Sequence, residues 1–181
     1  MKPTLTPPFR EFMPQWLAGQ PWFRGGELKP VGFLRFEDPA GEVGIETHVL
    51  EAGGLIYQIP MTYRGAPLDS AALIVTAEHS VLGPRWIYQG ETDPVWRKEL
   101  LRLVRENATA AASRGSDFAA RGELLADFVD DDVHIELARI LTDPGQFDDV
   151  VGVVTAGGYR LATVVTSRGS RASGTPGAPR R

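Results

Sequence analysis

Residues 43–63, VGIETHVLEAGGLIYQIPMTY, carry the strongest structural signal in the chain. Apolar and polar side chains alternate from Val43 to Leu50, and Gly53-Gly54 separates this segment from a second one, Leu55 to Tyr63. A period of two residues is typical of a half-buried strand, and paired glycines favour the tight turn of a β-hairpin. The stretch therefore predicts two antiparallel strands.

The flanking segments continue this pattern. Residues 29–37, 71–78 and 85–89 are short β-prone runs bounded by turn residues, and they complete a predicted antiparallel sheet. Because Pro60 has no backbone N–H, we place its strand at an edge of the sheet or at a bulge. Residues 133–138 and a hairpin at 149–166 predict additional C-terminal strands, which extend this sheet or form their own layer.

Two helices are predicted. Asp93 and Pro94 have the residue types of an N-cap and a first helical residue. The apolar stripe that follows at helical spacing should pack on the sheet; it consists of Trp96, Leu100, Leu103 and Val104. A shorter helix begins near Pro14 and ends by Gly19, while residues 116–131 give no clear pattern. The predicted fold class is α+β.

Composition excludes several classes of site and partner. The 181 residues are 43% hydrophobic and include no cysteine, so disulfides, thiolate metal sites and cysteine nucleophiles are absent. No apolar run reaches the ~18 residues of a membrane span, and we expect a cytoplasmic protein with no membrane partner. The net charge of −4 includes a basic, predicted disordered tail at 167–181; the remaining acidic body would repel nucleic acid.

Motifs for common enzymes are missing. The sequence has no phosphate-binding loop, no dinucleotide fingerprint and no Gly-x-Ser-x-Gly elbow. His134 and Glu136 share one strand face, and Asp130 to Asp132 form an acidic run, but neither is a complete ligand set. We expect no catalytic residue, no metal site and no cofactor.

The most distinctive stretch is EHSVLGPRWIY at residues 78–88. Together with the aromatic Trp22, it supplies the candidate binding residues Glu78, His79, Ser80, Arg85, Trp86 and Tyr88. In a binding role, Glu78 would hold His79 for titration near neutral pH, and an aromatic ring would stack on a sugar or base. In a structural role, the histidine and serine would satisfy backbone groups while the tryptophan fills the core. Both interpretations stay open.

Three ordered blocks carry a family resemblance. They are residues 15–26 (QWLAGQPWFRGG), 57–68 (YQIPMTYRGAPL) and 76–95 (TAEHSVLGPRWIYQGETDPV). Together they resemble the N-terminal cap domain of bacterial maltokinases, and most closely the short, kinase-less proteins that carry such a domain. The resemblance implies a cystatin-like cap, in which a curved antiparallel sheet packs against a long helix.

In maltokinases, the cap precedes a two-lobed kinase that phosphorylates maltose with ATP and magnesium. Such kinases need a catalytic aspartate in a His-Gly-Asp-like loop, and no histidine of this chain is followed two residues later by aspartate. The segment after the cap helix is also too short for catalytic lobes. The resemblance therefore implies the fold of the cap and not kinase activity.

These observations favour a non-catalytic module with a binding or regulatory role, linked by the resemblance to trehalose and α-glucan metabolism. Its expected partner is a sugar kinase, another enzyme of glucan metabolism, or a sugar or nucleotide ligand. One alternative is an accessory that contributes in trans to an ATP-dependent sugar kinase, and another is an independent enzyme that uses the Glu78–His79 region. We assign residues 1–113 to the cap-like region, 114–166 to a β-rich extension of the same domain, and 167–181 to the tail.

Overall fold

The computed structural model describes residues 3–110, 118–143 and 145–167. The strands of these ranges are β1 (Leu5–Thr6), β2 (Lys29–Phe36), β3 (Gly44–Ala52), β4 (Leu55–Arg64), β5 (Leu73–His79), β6 (Gly83–Gln89), β7 (Arg121–Leu124), β8 (Val133–Leu137), β9 (Val150–Ala156) and β10 (Tyr159–Thr166). The helices are α1 (Phe9–Ala18) and α2 (Pro94–Arg105), and single 3-10 turns lie at Gly90–Thr92 and Asp130–Asp132. Apart from Ser167, the predicted tail lies outside the described residues.

The strands form two antiparallel sheets. The first is curved and has the order β1-β5-β6-β4-β3-β2, and the second has the order β7-β9-β10-β8. The α+β class and the antiparallel first sheet are therefore confirmed. The C-terminal strands form their own sheet instead of extending the first, and the previously unassigned segment contributes β7 to it.

The predicted β3–β4 hairpin is present with the expected turn. Gly53 and Gly54 have φ values of +58° and +81°, which glycine adopts without steric cost, and they connect the paired residues Ala52 and Leu55. The second glycine hairpin joins β9 to β10 through Gly157. The hairpin predicted at residues 149–166 is thus present, with Gly157 and Gly158 between the last residue of β9 and the first residue of β10.

Helix α2 begins as predicted and packs between the two sheets. The Asp93 side chain accepts a hydrogen bond from the Val95 N–H at 2.9 Å, and the predicted apolar stripe is buried. Its neighbours in this core come from both sheets and include Leu34, Ile45, Val49, Val154 and Val164. We call the surface of the first sheet that contributes to this core the α2 face.

Helix α1 covers part of the opposite surface, which we call the α1 face. Its side chains pack there on Leu50, Ala52, Ile59, Met61 and Ile87. The helix begins at Phe9, so the predicted start near Pro14 is wrong. Pro8 is the N-cap residue, and burial of Phe12 and Met13 offsets the backbone hydrogen bond that Pro14 removes. None of the helices in the described ranges is long and apolar enough to cross a membrane.

Pro60 lies in an interior strand, so its predicted placement at an edge or bulge is also wrong. Beside β4, residues 139–141 take the place of a strand: the Gln58 N–H donates to the Arg139 carbonyl, and the Leu141 N–H donates to the Ile56 carbonyl. Pairing with β6 begins only at Met61. Pro60 therefore falls in the gap between two partners, where its missing N–H costs no ladder hydrogen bond.

Candidate functional site

The structure divides the sequence-predicted residues between two faces of the β5–β6 hairpin. Register pairs Ala77 with Arg85, and His79 with Gly83, on the α1 face that also contains the buried Ile87. The side chains of Glu78, Trp86 and Tyr88 alternate with these and lie on the opposite face. The structure therefore does not place the Glu78 carboxylate so that it could hold the imidazole of His79.

His79 and Ser80 both make hydrogen bonds to the backbone. The Nδ1 atom of His79 accepts from the N–H groups of Val81 and Leu82, at 3.2 and 3.0 Å, and so fixes the turn of the hairpin. The Ser80 hydroxyl accepts from the Thr4 N–H at 2.9 Å. These contacts support the structural interpretation of both residues.

The other predicted side chains have separate environments. Tyr88 is buried, and its hydroxyl accepts from the Leu68 N–H at 2.7 Å. Trp86 is only half-buried, and Arg85 donates to the neighbouring Pro84 carbonyl at 2.8 Å. Arg85 therefore shares a face of the hairpin with His79, whereas Tyr88 lies on the opposite face.

Trp22 belongs to an aromatic cluster away from the hairpin. Its ring centroid lies 6.0 Å from that of Trp16 and 6.2 Å from that of Tyr57. The Arg139 guanidinium stacks over the Trp22 ring at 4.8 Å and forms an ion pair with Glu91. Burial lowers the pKa of Arg139 to about 10, so it keeps its charge at neutral pH. Trp22 therefore helps to join the segment between β8 and β9 to the first sheet.

A cleft of about 820 Å³ lies on the α1 face beside Phe9, the first residue of α1. Six of the polar side chains that line it lie on β2 to β6: Arg35, Glu46, His48, Tyr63, His79 and Arg85. Apolar side chains border it at Leu5 and Phe9 and at the exposed hairpin residues Val81 and Leu82. Sequence reasoning placed only His79 and Arg85 in a site and missed the other four polar residues.

The cleft exists because α1 is too short to cover the whole face. A ten-residue helix extends only about 15 Å. Beneath it, β3 presents Leu50 and Ala52, whereas farther along the same face it presents Glu46 and His48. The other strands change in the same way, from Met61 to Tyr63 in β4 and from Ile87 to Arg85 in β6. This change from apolar to polar side chains, shared by neighbouring strands, is the sequence signal that could have indicated the cleft. It can be recognised only when the register of the strands is known.

Glu46 is at the centre of the polar cluster. Its carboxylate lies 3.7 Å from Arg35 Nε and 3.8 Å from His48 Nε2. Burial, and then the charge of Glu46 and its hydrogen bond with the phenol, raise the pKa of Tyr63 well above 10.0, so that hydroxyl keeps its proton.

His48 stacks on Phe9 at a centroid distance of 4.3 Å and meets Phe33 edge-on at 4.9 Å. Its buried Nε2 atom has no hydrogen-bond partner among the described residues. The cluster therefore contains a fixed acceptor, a protonated phenol and a polar ring nitrogen with unused hydrogen-bonding capacity.

Comparison with known families identifies the part of the chain that contains this cleft. Residues 16–93 match the model of the maltokinase N-terminal cap domain. The match extends from within α1 to the N-cap residue of α2, so the matched region includes the polar cleft residues of β2 to β6 and all seven sequence-predicted ones. No curated protein matches the chain.

The chemistry available in the cleft suits binding. In the described ranges, no three histidine, cysteine, aspartate or glutamate side chains come together as a metal site. The distance of 3.8 Å between Glu46 and His48 exceeds a hydrogen bond, and the phenol of Tyr63 keeps its proton. The cluster contains donors and acceptors fixed on paired strands, which is what a binding site requires.

Proposed function

We propose that this protein is a non-catalytic binding or regulatory module of trehalose and α-glucan metabolism, acting in the cytoplasm. The observation that carries the proposal is the open polar cleft, most of whose lining belongs to the region that matches the maltokinase N-terminal cap domain. The cleft has the volume and the mixed lining of a ligand site. The sequence has no kinase catalytic loop that would use such a ligand as a substrate.

The proposal includes the cystatin-like arrangement that the family resemblance implies. A curved antiparallel sheet crossed on one face by a helix supports it. The helix on that face is α1, with ten residues, while the longer α2 packs on the opposite face. That one of these two helices corresponds to the long helix of the implied fold is therefore proposed as well.

A thermal-shift panel tests whether the protein binds a small molecule. Its members are ATP with magnesium, glucose, maltose, malto-oligosaccharides and trehalose. A ligand at ~100 times its Kd adds about 2.7 kcal/mol to the unfolding free energy and raises the Tm of a protein of this size by roughly 5–10 °C. A panel with no response would contradict a role in binding these ligands.

A second candidate function, an accessory of a sugar kinase in trans, is favoured by the kinase with which the matched domain is named. The cleft border contains the exposed Val81 and Leu82, and exposed apolar side chains are typical of protein contacts. The test adds this protein to a sugar kinase that lacks its own cap and measures the kinase rate. We expect the rate to change with a saturating dependence on the added protein. The same measurement with Val81→Ser serves as the comparison, because this variant removes an exposed apolar contact. A kinase rate that does not change when the protein is added would contradict the accessory role.

A further inference from the structure

We propose that the cleft on the α1 face binds a neutral polyhydroxyl ligand, a sugar of one or two rings, with Glu46 as its central hydrogen-bond acceptor. This inference rests on the proposed binding function and specifies both the site and the class of ligand. It starts from the part of the α1 face that α1 leaves uncovered, where several strands together present polar side chains.

The donors and acceptors of the cleft suit hydroxyl groups. Glu46 can only accept hydrogen bonds, the guanidinium groups of Arg35 and Arg85 can only donate, and the phenol of Tyr63 can do both. A sugar hydroxyl is donor and acceptor at once, so adjacent hydroxyls can satisfy a carboxylate and a guanidinium together. Because Glu46 is 3.7 Å from Arg35 Nε, both groups can contact one ring. Burying the Glu46 carboxylate under a ligand would also be costly unless that ligand supplied polar partners.

The charge of the cleft argues for a neutral ligand. Its carboxylates, Glu37, Asp38, Glu42 and Glu46, outnumber its guanidinium groups, Arg35 and Arg85. The Asp38 carboxylate already accepts from three backbone N–H groups, so it is held in place with its charge. A phosphorylated ligand would meet this excess negative charge and be disfavoured. A sugar without a phosphate avoids that repulsion.

The apolar border can receive the carbon face of a sugar ring. Leu5 and Phe9 line one side, and the hairpin residues Val81 and Leu82 lie exposed beside them. The hydrogen bonds from the turn to His79 Nδ1 hold these two hairpin residues in place. The cleft thus combines polar groups on its strands with apolar contacts at its border, as ligand pockets commonly do.

Gly44 allows the cleft to be blocked without removing a polar group. It is paired with Tyr63 on the α1 face and has no left-handed backbone conformation. A Cβ atom there would meet Tyr63 only at 3.5 Å, an ordinary contact. The Gly44→Leu side chain would therefore extend into the cleft. Circular dichroism and the Tm of the free variant check that it folds.

The experiment measures the Kd of glucose, maltose and trehalose by isothermal titration calorimetry for the full chain. It uses Glu46→Gln, Gly44→Leu and the control Glu27→Gln, whose carboxylate is exposed outside the cleft. We expect binding of at least one neutral sugar, no binding by Gly44→Leu, a Kd raised at least about tenfold by Glu46→Gln, and an unchanged Kd for the control. Glucose 6-phosphate should bind more weakly than glucose.

Two results would overturn the inference, and they affect the proposed function differently. If a sugar binds equally well to Gly44→Leu and Glu46→Gln, the cleft is not its site, although the protein remains a binding module. If no neutral sugar binds, the cleft does not take this ligand class; a response to ATP with magnesium or an effect on a sugar kinase would then still support the proposed function. Failure of all these measurements would contradict both.

Discussion

Asp93 joins the first sheet to α2 through a buried carboxylate. The Arg64 guanidinium donates two hydrogen bonds to it at 2.7 Å, the Thr62 hydroxyl donates another at 2.7 Å, and the Val95 N–H donates the helix-capping bond. Replacing Asp93 with alanine would leave Arg64 without its partner and α2 without its cap. We expect Asp93→Ala to lower the unfolding free energy by about 3–5 kcal/mol, measured by urea denaturation.

The same carboxylate predicts a dependence of stability on pH. Burial opposes ionisation of Asp93, but the hydrogen bonds from Arg64, Thr62 and Val95 outweigh it and lower its pKa below the ordinary value of 3.8. Because the pKa is lower in the folded state, the ionised Asp93 carboxylate stabilises the fold above pH 3.8. This contribution is lost as the pH falls through the lowered pKa. The stability difference between native protein and Asp93→Asn should therefore shrink between pH 7 and pH 2. A constant difference would contradict this role.

His79 offers a test that separates a structural residue from a catalytic one. Its Nδ1 atom accepts two backbone hydrogen bonds in the β5–β6 turn, so we expect His79→Ala to lower the unfolding free energy by about 1 kcal/mol. If the chain is instead an enzyme that uses the Glu78–His79 region, the variant should lose turnover while its stability stays the same. Denaturation curves and an assay with the sugar and ATP panel measure both effects.

At the scale of elements, β7 approaches the backbone of α2 very closely at Gly122. A Cβ atom at Gly122 would lie 2.2 Å from the Leu103 carbonyl oxygen, which belongs to the helix backbone and cannot rotate away. Either the strand or the helix would have to move. We expect Gly122→Ala to lower the unfolding free energy by about 1–3 kcal/mol or more, measured in urea.

Gly44→Ala is the matched control for this substitution. Gly44 is also a strand glycine without a left-handed backbone, but its added methyl group would make only an ordinary contact with Tyr63. Equal unfolding free energies for the two variants would show that the approach of β7 to α2 is not as close as the structure indicates.

At the scale of the whole molecule, the two sheets share one core. The α2 face presents Leu34, Ile45 and Val49 to α2 and to buried residues of β9 and β10. The buried Gln58 side chain donates to the Ala138 carbonyl at 2.6 Å, which adds a polar contact between the sheets. These contacts support the prediction that residues 114–166 extend the same domain.

Truncation after residue 110 tests that prediction. The remaining cap would expose the apolar side chains that the second sheet covers, so we expect a marked loss of cooperative unfolding and increased binding of a hydrophobic dye. The full chain is the reference in both measurements. A truncated protein with unchanged cooperativity and no dye binding would make the C-terminal sheet a separate domain.

Local patterns were sufficient for most of the elements. Alternation and paired glycines predicted β3 and β4, and Asp93 with Pro94 predicted the start of α2, because each signal depends on neighbouring residues. The two errors concern prolines. Pro14 does not mark the start of α1, since burial of its neighbours offsets the missing hydrogen bond, and Pro60 does not mark an edge, since it lies where neither partner needs its N–H group.

The candidate site was less predictable than the fold. The stretch at 78–88 forms a hairpin that borders the cleft. Alternation along its strands, however, places Glu78 and Trp86 on one face and Arg85 on the other. The polar residues of the cleft are spread from Arg35 to Arg85, and no local motif connects them. Only the register of the strands brings them together.

The sequence by itself determined the α+β class, the hairpins, the capped helix and the resemblance to the maltokinase cap. These depend on short-range periodicity, turn chemistry and ordered blocks, which are all present along the chain. The tertiary structure decided that the C-terminal strands form a second sheet and that a short α1 leaves a polar cleft open. Both depend on contacts between residues far apart in sequence, where register and the reach of a helix determine which side chains meet.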